Sequence, residues 1–517
     1  MNKFKIIGAA IILVFFASCV DDLNTEPKVE LTLDKLLEQD PQAVEGLVSK
    51  IYGTFALSGP DGPGSTDVVT KDAGEAAFLR GIINLQDFSA DAVKNRWGDD
   101  GLDQLTTTSG WNPNNKFFRY LFDRAYYTIP QSNNLINILE TTSKEIPGKE
   151  NYIAELRFLR SLAYFYVIDC FGKGPLVTEE DINTTTPKKE STRKELFDFV
   201  EKDLLEAENT ITASKSYGKA NKTVVRMLLA KLYLNAEVYT GTARYTDALT
   251  YVNKVLADAQ YSLAPNYVSV FSGDNNNSPE IIYTLIADAV VSQSYGNTTY
   301  IVNGSLNNET VDPNLFGAKD GWGGHRATKA WYGLFNNGDL AGSNDDRAKL
   351  FWTTGHSYEM NDYKTWADGF PSVKFRNSNY VGGSSSTSFS NTDFPLYRLA
   401  DAYLMYAECV LRGATGGTRA QALTYVNAVI TRSKGTAITD AQLNLNFLLD
   451  ERARELNFEG HRRTDLIRFG KFTGGSYIWP WKGGTKGGTS IPDTYKLYPI
   501  PTSALQANSN LTQNPGY

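Results

Sequence analysis

Three aromatic residues stand in settings where a core ring would be out of place. Trp97 lies in Lys94-Asn-Arg-Trp-Gly-Asp-Asp100. Trp322 lies in Lys319-Asp-Gly-Trp-Gly-Gly-His325, between glycines, and Tyr295 lies in Ser292-Gln-Ser-Tyr-Gly-Asn297. An exposed ring offers a flat apolar face with a polarised edge. Sugar rings carry C–H faces that lie on such surfaces, and their hydroxyls need hydrogen-bond donors and acceptors nearby. The competing reading for each ring is a loop anchor packed into the core.

A different chemistry is written at the start of the chain. Lys3 and Lys5 precede an apolar run from Ile6 to Phe16, followed by Ala17-Ser18-Cys19. This is the layout of a cleaved secretory signal, and the run is too short to span a bilayer, which takes about 20 apolar residues. Cleavage after residue 18 leaves Cys19 first. That setting resembles the lipidation site of bacterial lipoproteins, with Phe16 departing from the usual aliphatic residue. Acyl chains on Cys19 would hold the chain at a membrane.

Composition narrows the remaining classes. The chain has 517 residues, 41% hydrophobic, enough for a sizeable core. Its net charge of −7 argues against nucleic acid. Beyond Cys19 only Cys170 and Cys409 remain, both in apolar helical patterns, so buried free thiols are expected. Aromatic residues make up 12% of the chain, with many Asn and Gly between them, which suits sugar or peptide recognition.

The elements that must position the rings read as mainly α. Tyr152, Leu156, Leu159, Ala163 and Tyr166 form one helix face, and Gly172, Gly174 and Pro175 end it. Further helices are expected at about 193–209, 222–239, 245–258, 395–412, 418–433, 446–459 and 461–470. Ala-Leu-Thr-Tyr-Val-Asn occurs at 248–253 and again at 422–427, each time after a helix containing Ala-Glu. Each copy reads as helix, turn, helix, in the tetratricopeptide manner, and the second carries an insertion at Gly413 to Thr418. Such units stack because neither helix buries its apolar face alone. The expected organisation is a signal over 1–18, a tether over 19–30 and a single domain over 31–517. Within it, helix pairs occupy about 125–260 and 395–470, and long, irregular but partly structured binding loops occupy about 58–125 and 262–392.

The C-terminal region adds Glu451-Arg-Ala-Arg-Glu-Leu-Asn-Phe-Glu-Gly-His-Arg-Arg-Thr-Asp-Leu-Ile-Arg-Phe-Gly470, a helix, a glycine break and a second helix with charges suited to ion-paired packing. With Arg157-Phe-Leu-Arg-Ser-Leu-Ala-Tyr-Phe-Tyr166, Phe171-Gly-Lys-Gly-Pro-Leu176, Leu497-Tyr-Pro-Ile-Pro501 and Leu511-Thr-Gln-Asn-Pro-Gly-Tyr517, it strongly resembles the SusD/RagB family. Asp72-Ala-Gly-Glu-Ala-Ala-Phe-Leu-Arg80, Leu234-Asn-Ala-Glu-Val-Tyr-Thr-Gly241 and Trp479-Pro-Trp-Lys-Gly-Gly484 extend the likeness to its starch-binding members.

The resemblance implies an outer-membrane lipoprotein on the cell surface. It would capture starch or other α-glucan (maltooligosaccharide) and deliver it to a TonB-dependent, SusC-like transporter, without catalysis. It implies a helical fold with tetratricopeptide-like units. It places Trp97, Tyr295 and Trp322 in an aromatic arc, with Arg80 bonding sugar hydroxyls. Asp100 falls where the starch-binding members carry Asn, so a group that donates and accepts is replaced by one that only accepts when ionised.

Two alternatives remain. One is a binder of another neutral glycan, such as a β-glucan, or of peptides. The other is a glycoside hydrolase, which needs two carboxylates about 5 to 9.5 Å apart; no carboxylate pair stands in a recognisable motif. There is no Gly-x-Ser-x-Gly turn, and Lys486 lies outside the order a phosphate loop requires. His325, His356 and His461 are too scattered for a metal pattern. No cofactor is expected, although Asp274-Asn-Asn-Asn277 with Glu280 offers oxygen ligands of the kind calcium takes.

Overall fold

The structure is a computed structural model, and it describes residues 33–182 and 184–517. Cys19, the signal and the tether lie outside the described residues.

The protein is mainly α, and its scaffold is a continuous stack of antiparallel helices. The first members are α1 (Ala43–Ala56), α2 (Lys116–Thr141), α3 (Lys149–Cys170), α4 (Arg193–Thr210) and α5 (Lys222–Leu234). They are followed by α6 (Tyr245–Leu256), α7 (Leu399–Leu411), α8 (Arg419–Arg432), α9 (Leu445–Leu456) and α10 (Arg462–Arg468). From α2 to α8 each helix packs on the next. The contact between α6 and α7 closes the stack across the long intervening segment 257–398, which is therefore an excursion from an unbroken scaffold.

Side-chain caps set several of the starts. Asn115 accepts from the Phe117 amide at 2.9 Å, and Thr192 forms a reciprocal capping box with Glu195. Asn221, Thr418 and Asn444 cap α5, α8 and α9 in the same way.

The repeated hexapeptide does the same work twice. Ala248 and Val252 in the first copy, and Ala422 and Val426 in the second, are buried. Tyr251 packs on Tyr233 of the preceding helix with ring centres 5.6 Å apart, and Tyr425 packs on Tyr403 at 4.4 Å. Small Ala lets the helix axes approach, and the tyrosine pair fills the groove beside it.

Two expectations need correction. The helix expected over 222–239 breaks at Asn235 into Lys222–Leu234 and Ala236–Thr240. The Asn235 amide turns back to the Lys231 carbonyl at 2.9 Å and accepts from Arg468 at 2.9 Å, so the side chain competes with the helical ladder. The stretch 58–125, expected as long, partly structured loops, is more ordered than that: it contains helices at Phe78–Ile82 and Leu102–Thr106, a π-helical turn at Ile83–Phe88 and the first turns of α2. Its apolar residues Phe78, Leu79, Ile82, Ile83, Leu85 and Phe88 belong to the core rather than the surface. The segment 262–392 is mostly irregular, as expected.

Among the described residues, three two-stranded antiparallel ladders complete the fold: β1 (Val93–Asn95) with β5 (His325–Ala327), β2 (Gly174–Pro175) with β3 (Glu190–Ser191), and β4 (Ile281–Leu285) with β6 (Phe394–Arg398). The Glu451–Gly470 motif packs through ions as its charges imply. Arg468 grips Glu408 with two bonds of 2.7 and 2.8 Å, and Arg462 grips Asp91 with two of 2.8 and 2.7 Å. Asp87 accepts from the amides of Phe458 and Gly460, and its burial raises its pKa to about 7. The motif thereby clamps the segment 87–95 that leads to Trp97. Cys170 and Cys409 are buried free thiols, raised in pKa chiefly by burial.

Candidate functional site

Trp97 and Trp322 emerge from the same end of the β1–β5 ladder, whose register pairs Asn95 with His325. Beyond that pair the chains stay bonded: the Arg96 amide donates to the Gly324 carbonyl at 3.1 Å. Segment 322–324 is also stitched to the helix end at 303–306, through Trp322 N to Asn303 O and Gly324 N to Gly304 O, each 2.7 Å. The position of Gly324 requires glycine, since a Cβ there would lie 2.4 Å from Cε2 of Trp97. The absence of a side chain is what lets the indole lie across this turn.

The ladder thus sets two indoles side by side, with ring centres 6.4 Å apart and planes at 50°. The Trp97 Nε1–H donates to the Trp322 carbonyl at 3.1 Å. Tyr295 continues the row, 6.4 Å from Trp322 at 45°. It is 46% exposed, while both tryptophans are half-buried. Its backbone rests on the Asp72–Arg80 motif: Gly74 lies so close that a Cβ there would meet Tyr295 Cβ at 2.7 Å. The Arg80 amide donates to the Gly296 carbonyl at 3.0 Å.

Phe389, absent from the sequence-level candidates, extends the row. Its ring centre is 4.9 Å from Tyr295 and it is half-buried. It sits in Ser384-Ser-Ser-Thr-Ser-Phe389, and a lone aromatic in a run of small polar residues was the available signal.

Behind the row the site is polar and buried. Arg80 is 6% exposed, with its guanidinium carbon 4.5 Å from the Tyr300 ring centre and 6.0 Å from that of Trp97. Its Nη2 lies 3.2 Å from Asp99 and 3.8 Å from Glu75, and Glu75 also pairs with Lys116 at 2.7 Å. Arg80 Nε is buried with no hydrogen-bond partner. Arg80 therefore supports the row from within rather than standing at its rim. Asp100 is exposed beside it and makes no ion pair among the described residues; the carboxylate that engages Arg80 is its neighbour Asp99.

His325 lies under Trp97, with ring centres 5.1 Å apart. Its Nε2 donates to the Tyr300 carbonyl at 2.9 Å, and its Nδ1 accepts from Asn95 at 2.9 Å. Burial, and the nearby Arg80 and Arg326 cations, hold its pKa down at about 3, so the imidazole is neutral.

The oxygen ligands considered for calcium do not fit a cation. Glu280 is fully buried against Arg398 at 2.9 Å and Arg432 at 2.8 Å. Asp274 accepts from the amides of Tyr380 and Val381 at 2.7 and 3.1 Å. Trp331 and Trp366 are core residues and Trp352 lines a separate cavity.

Comparison with known proteins agrees with this architecture. Residues 350–517 match the model of the SusD family, and residues 67–234 match one described as starch-binding and associating with the outer membrane. The starch-binding protein SusD of Bacteroides thetaiotaomicron is 31% identical, over 99% of this chain and 98% of its own. SusD-like protein P25 of Formosa agariphila is 24% identical, over 99% and 98%. Among solved structures, a SusD superfamily protein from Bacteroides thetaiotaomicron superposes with a TM-score of 0.72 at 19% identity, covering 92% of this chain and 99% of that one. Surface glycan-binding protein A from the same organism, in complex with laminarihexaose, gives 0.68 at 22% identity, covering 91% and 98%. From the near full-length identity and the shared helical architecture, the chain belongs to the SusD family.

Proposed function

We propose that this protein is a non-catalytic cell-surface lipoprotein that binds α-glucan and hands it to a SusC-like TonB-dependent transporter. The observation that carries the reading is the row Trp97–Trp322–Tyr295. Its neighbouring planes are inclined by 50° and 45°, so the platform is not flat, which suits a curved chain better than an extended ribbon. The starch-binding relative at 31% identity supports α-glucan as the first ligand to test.

Behind the row Glu75 and Asp99 are held in ion pairs with Arg80 and Lys116, while Asp100 is exposed and makes no ion pair among the described residues. Binding without cleavage is therefore read from the family resemblance and is put to the reducing-end assay below. Outer-membrane placement rests on Cys19 with its preceding signal and on the description of the matched family model. Among the described residues no helix is long and apolar enough to cross a membrane.

The test is an affinity-gel series with amylose, laminarin and a mucin glycan, run beside a reducing-end assay. Retardation by amylose with no new reducing ends supports the reading. Preference for laminarin moves the ligand to β-glucan, and carboxylate-dependent release of reducing ends moves the protein to the hydrolases. Cys19→Ala should release the protein from the membrane fraction, and copurification in mild detergent should bring down a large β-barrel.

A further inference from the structure

A cavity of about 530 Å³ opens elsewhere on the protein, and it shares no lining residue with the aromatic row. Its walls include Asp346, Lys349, Trp352, Arg376, Tyr380 and Arg432. Of its charged walls, Lys349 pairs with Asp346 at 2.7 Å and Arg432 with Glu280 and Glu455, which leaves Arg376 as the wall cation without an ion pair among the described residues. The volume lies within the range of small-molecule sites.

Arg376 is the residue that structural roles leave unexplained. Its Nη2 donates to the Val373 carbonyl at 2.7 Å, and its guanidinium stacks on Phe316 at 5.5 Å. Its Nε is buried with no partner, and Arg376 makes no ion pair among the described residues. Burial alone pulls its pKa down to about 10, with no carboxylate to offset the cost. A partly buried cation left this way is destabilising.

Two other arginines show what a purely structural guanidinium looks like here. Arg326 also lacks a carboxylate, but it donates to the carbonyls of Gly324, Tyr363, Thr365 and Asp368. Arg432 pairs with Glu280 and Glu455. Arg376 has one acceptor, and it is partly exposed at the cavity.

The aromatic walls argue for more than a free anion. Trp352 is half-buried, and its Nε1 has no partner. Tyr380 is 47% exposed, yet its backbone is fixed by Asp274. Segment 380–389 carries Tyr380 at one end and Phe389 of the aromatic row at the other, and the Lys319 amide holds it midway at the Thr387 carbonyl, 3.0 Å away.

We propose that this cavity is a second saccharide subsite, which takes a sugar ring bearing an anionic group, with the anion on Arg376 and the ring against Trp352 and Tyr380. Arg offers a planar fork that matches carboxylate and sulfate ester alike. The protein would then read a glycan at two places, one neutral and one charged.

The test is calorimetric titration of the full mature chain with trigalacturonate, a sulfated chondroitin disaccharide, inorganic sulfate and maltoheptaose. Binding of either acidic saccharide is expected, and Arg376→Gln should weaken it about tenfold or more. Tyr380→Ala should weaken it as well. Maltoheptaose binding should be unchanged in both variants, which separates failure here from failure of the α-glucan reading. Arg376→Gln should also keep or raise the melting temperature, because it removes an uncompensated charge. Arg376→Lys, which keeps the charge but not the fork, should weaken the acidic saccharide less than Arg376→Gln does. The proposal is overturned if neither acidic saccharide binds, if Arg376→Gln binds them as the wild type does, or if inorganic sulfate binds as tightly as the sugars.

Discussion

The indole N–H of Trp97 donates to the backbone carbonyl of Trp322 across 3.1 Å. The two platform rings are therefore one unit, although they lie far apart in sequence. Trp97 is also packed on Tyr300 and His325, at 5.7 and 5.1 Å between ring centres. On the proposed reading it serves as ligand surface as well as loop anchor.

The platform residues should therefore split by stability. Truncating an aromatic hot spot typically costs about 2 kcal/mol of binding, roughly a thirtyfold loss of affinity. Tyr295→Ala should show that loss with stability within about 0.5 kcal/mol of wild type, as exposed positions do. Trp97→Ala should lose binding and also unfold earlier, by on the order of 2 kcal/mol, because it opens a gap over His325 and Tyr300. Affinity gels and thermal melts on both variants check this. Normal glucan binding by both would sink the site.

Gly324→Ala should impair binding without removing any ligand contact. The added methyl would meet Trp97 Cε2 at 2.4 Å and Cζ2 at 2.5 Å, so the indole must shift. The shift breaks the bond to Trp322 and separates the two rings. A loss of about tenfold in glucan affinity is expected, with a changed tryptophan emission spectrum. Unchanged affinity with a changed spectrum would show that the alignment of the pair does not matter.

The scaffold was largely legible in the sequence because its signals are local. Thr192, Asn221, Thr418 and Asn444 mark the helix starts, and the repeated hexapeptide marks the pairing. The platform was legible for a similar reason, since Trp97 and Trp322 stand among Gly and charged residues. Arg80 was harder: its neighbours in sequence do not reveal that Asp99 and Glu75 hold it inside the fold. Segment 78–88 was misread because its apolar residues are spaced for a short helix and a π-helical turn, not for a clean 3.6-residue face. Phe389 carries only the weak local signal of a lone aromatic among small polar residues, and Arg376 depends on tertiary neighbours that no local pattern encodes.

His325 should give the protein a readable acid dependence. Its folded pKa is depressed from 6.5 to about 3. As pH falls below 6.5 the unfolded chain takes a proton that the folded chain refuses, so stability is lost between pH 6.5 and 3. One such group contributes a slope of about 1.4 kcal/mol per pH unit in that window. His325→Gln keeps a donor for the Tyr300 carbonyl and removes the titration. Other groups shifted in this range, including His461 and Asp87, are common to both proteins and cancel in the difference. The variant's melting temperature should fall less steeply from pH 6.5 to 4 than the wild type's. Parallel curves would mean that His325 is not held neutral in the fold.

Phe389 should set how long a glucan the platform grips. Its ring stands 4.9 Å from Tyr295, which makes it the fourth member of the row. The loop that bears it is fixed, since the Ser390 amide donates to Thr299 at 3.0 Å and the Asn391 amide to Asn377 at 2.6 Å. A short oligosaccharide centred on Trp97 and Trp322 does not need this ring, whereas a longer chain that reaches past Tyr295 meets it. Base-level affinity for maltotriose should thus be unchanged in Phe389→Ala, while affinity for maltoheptaose should drop by roughly five- to thirtyfold, the loss expected for one stacking contact of about 1–2 kcal/mol. Titration across a chain-length series reads this directly. Equal losses for short and long ligands would mean that Phe389 only positions Tyr295. No loss at any length would end the row at Tyr295.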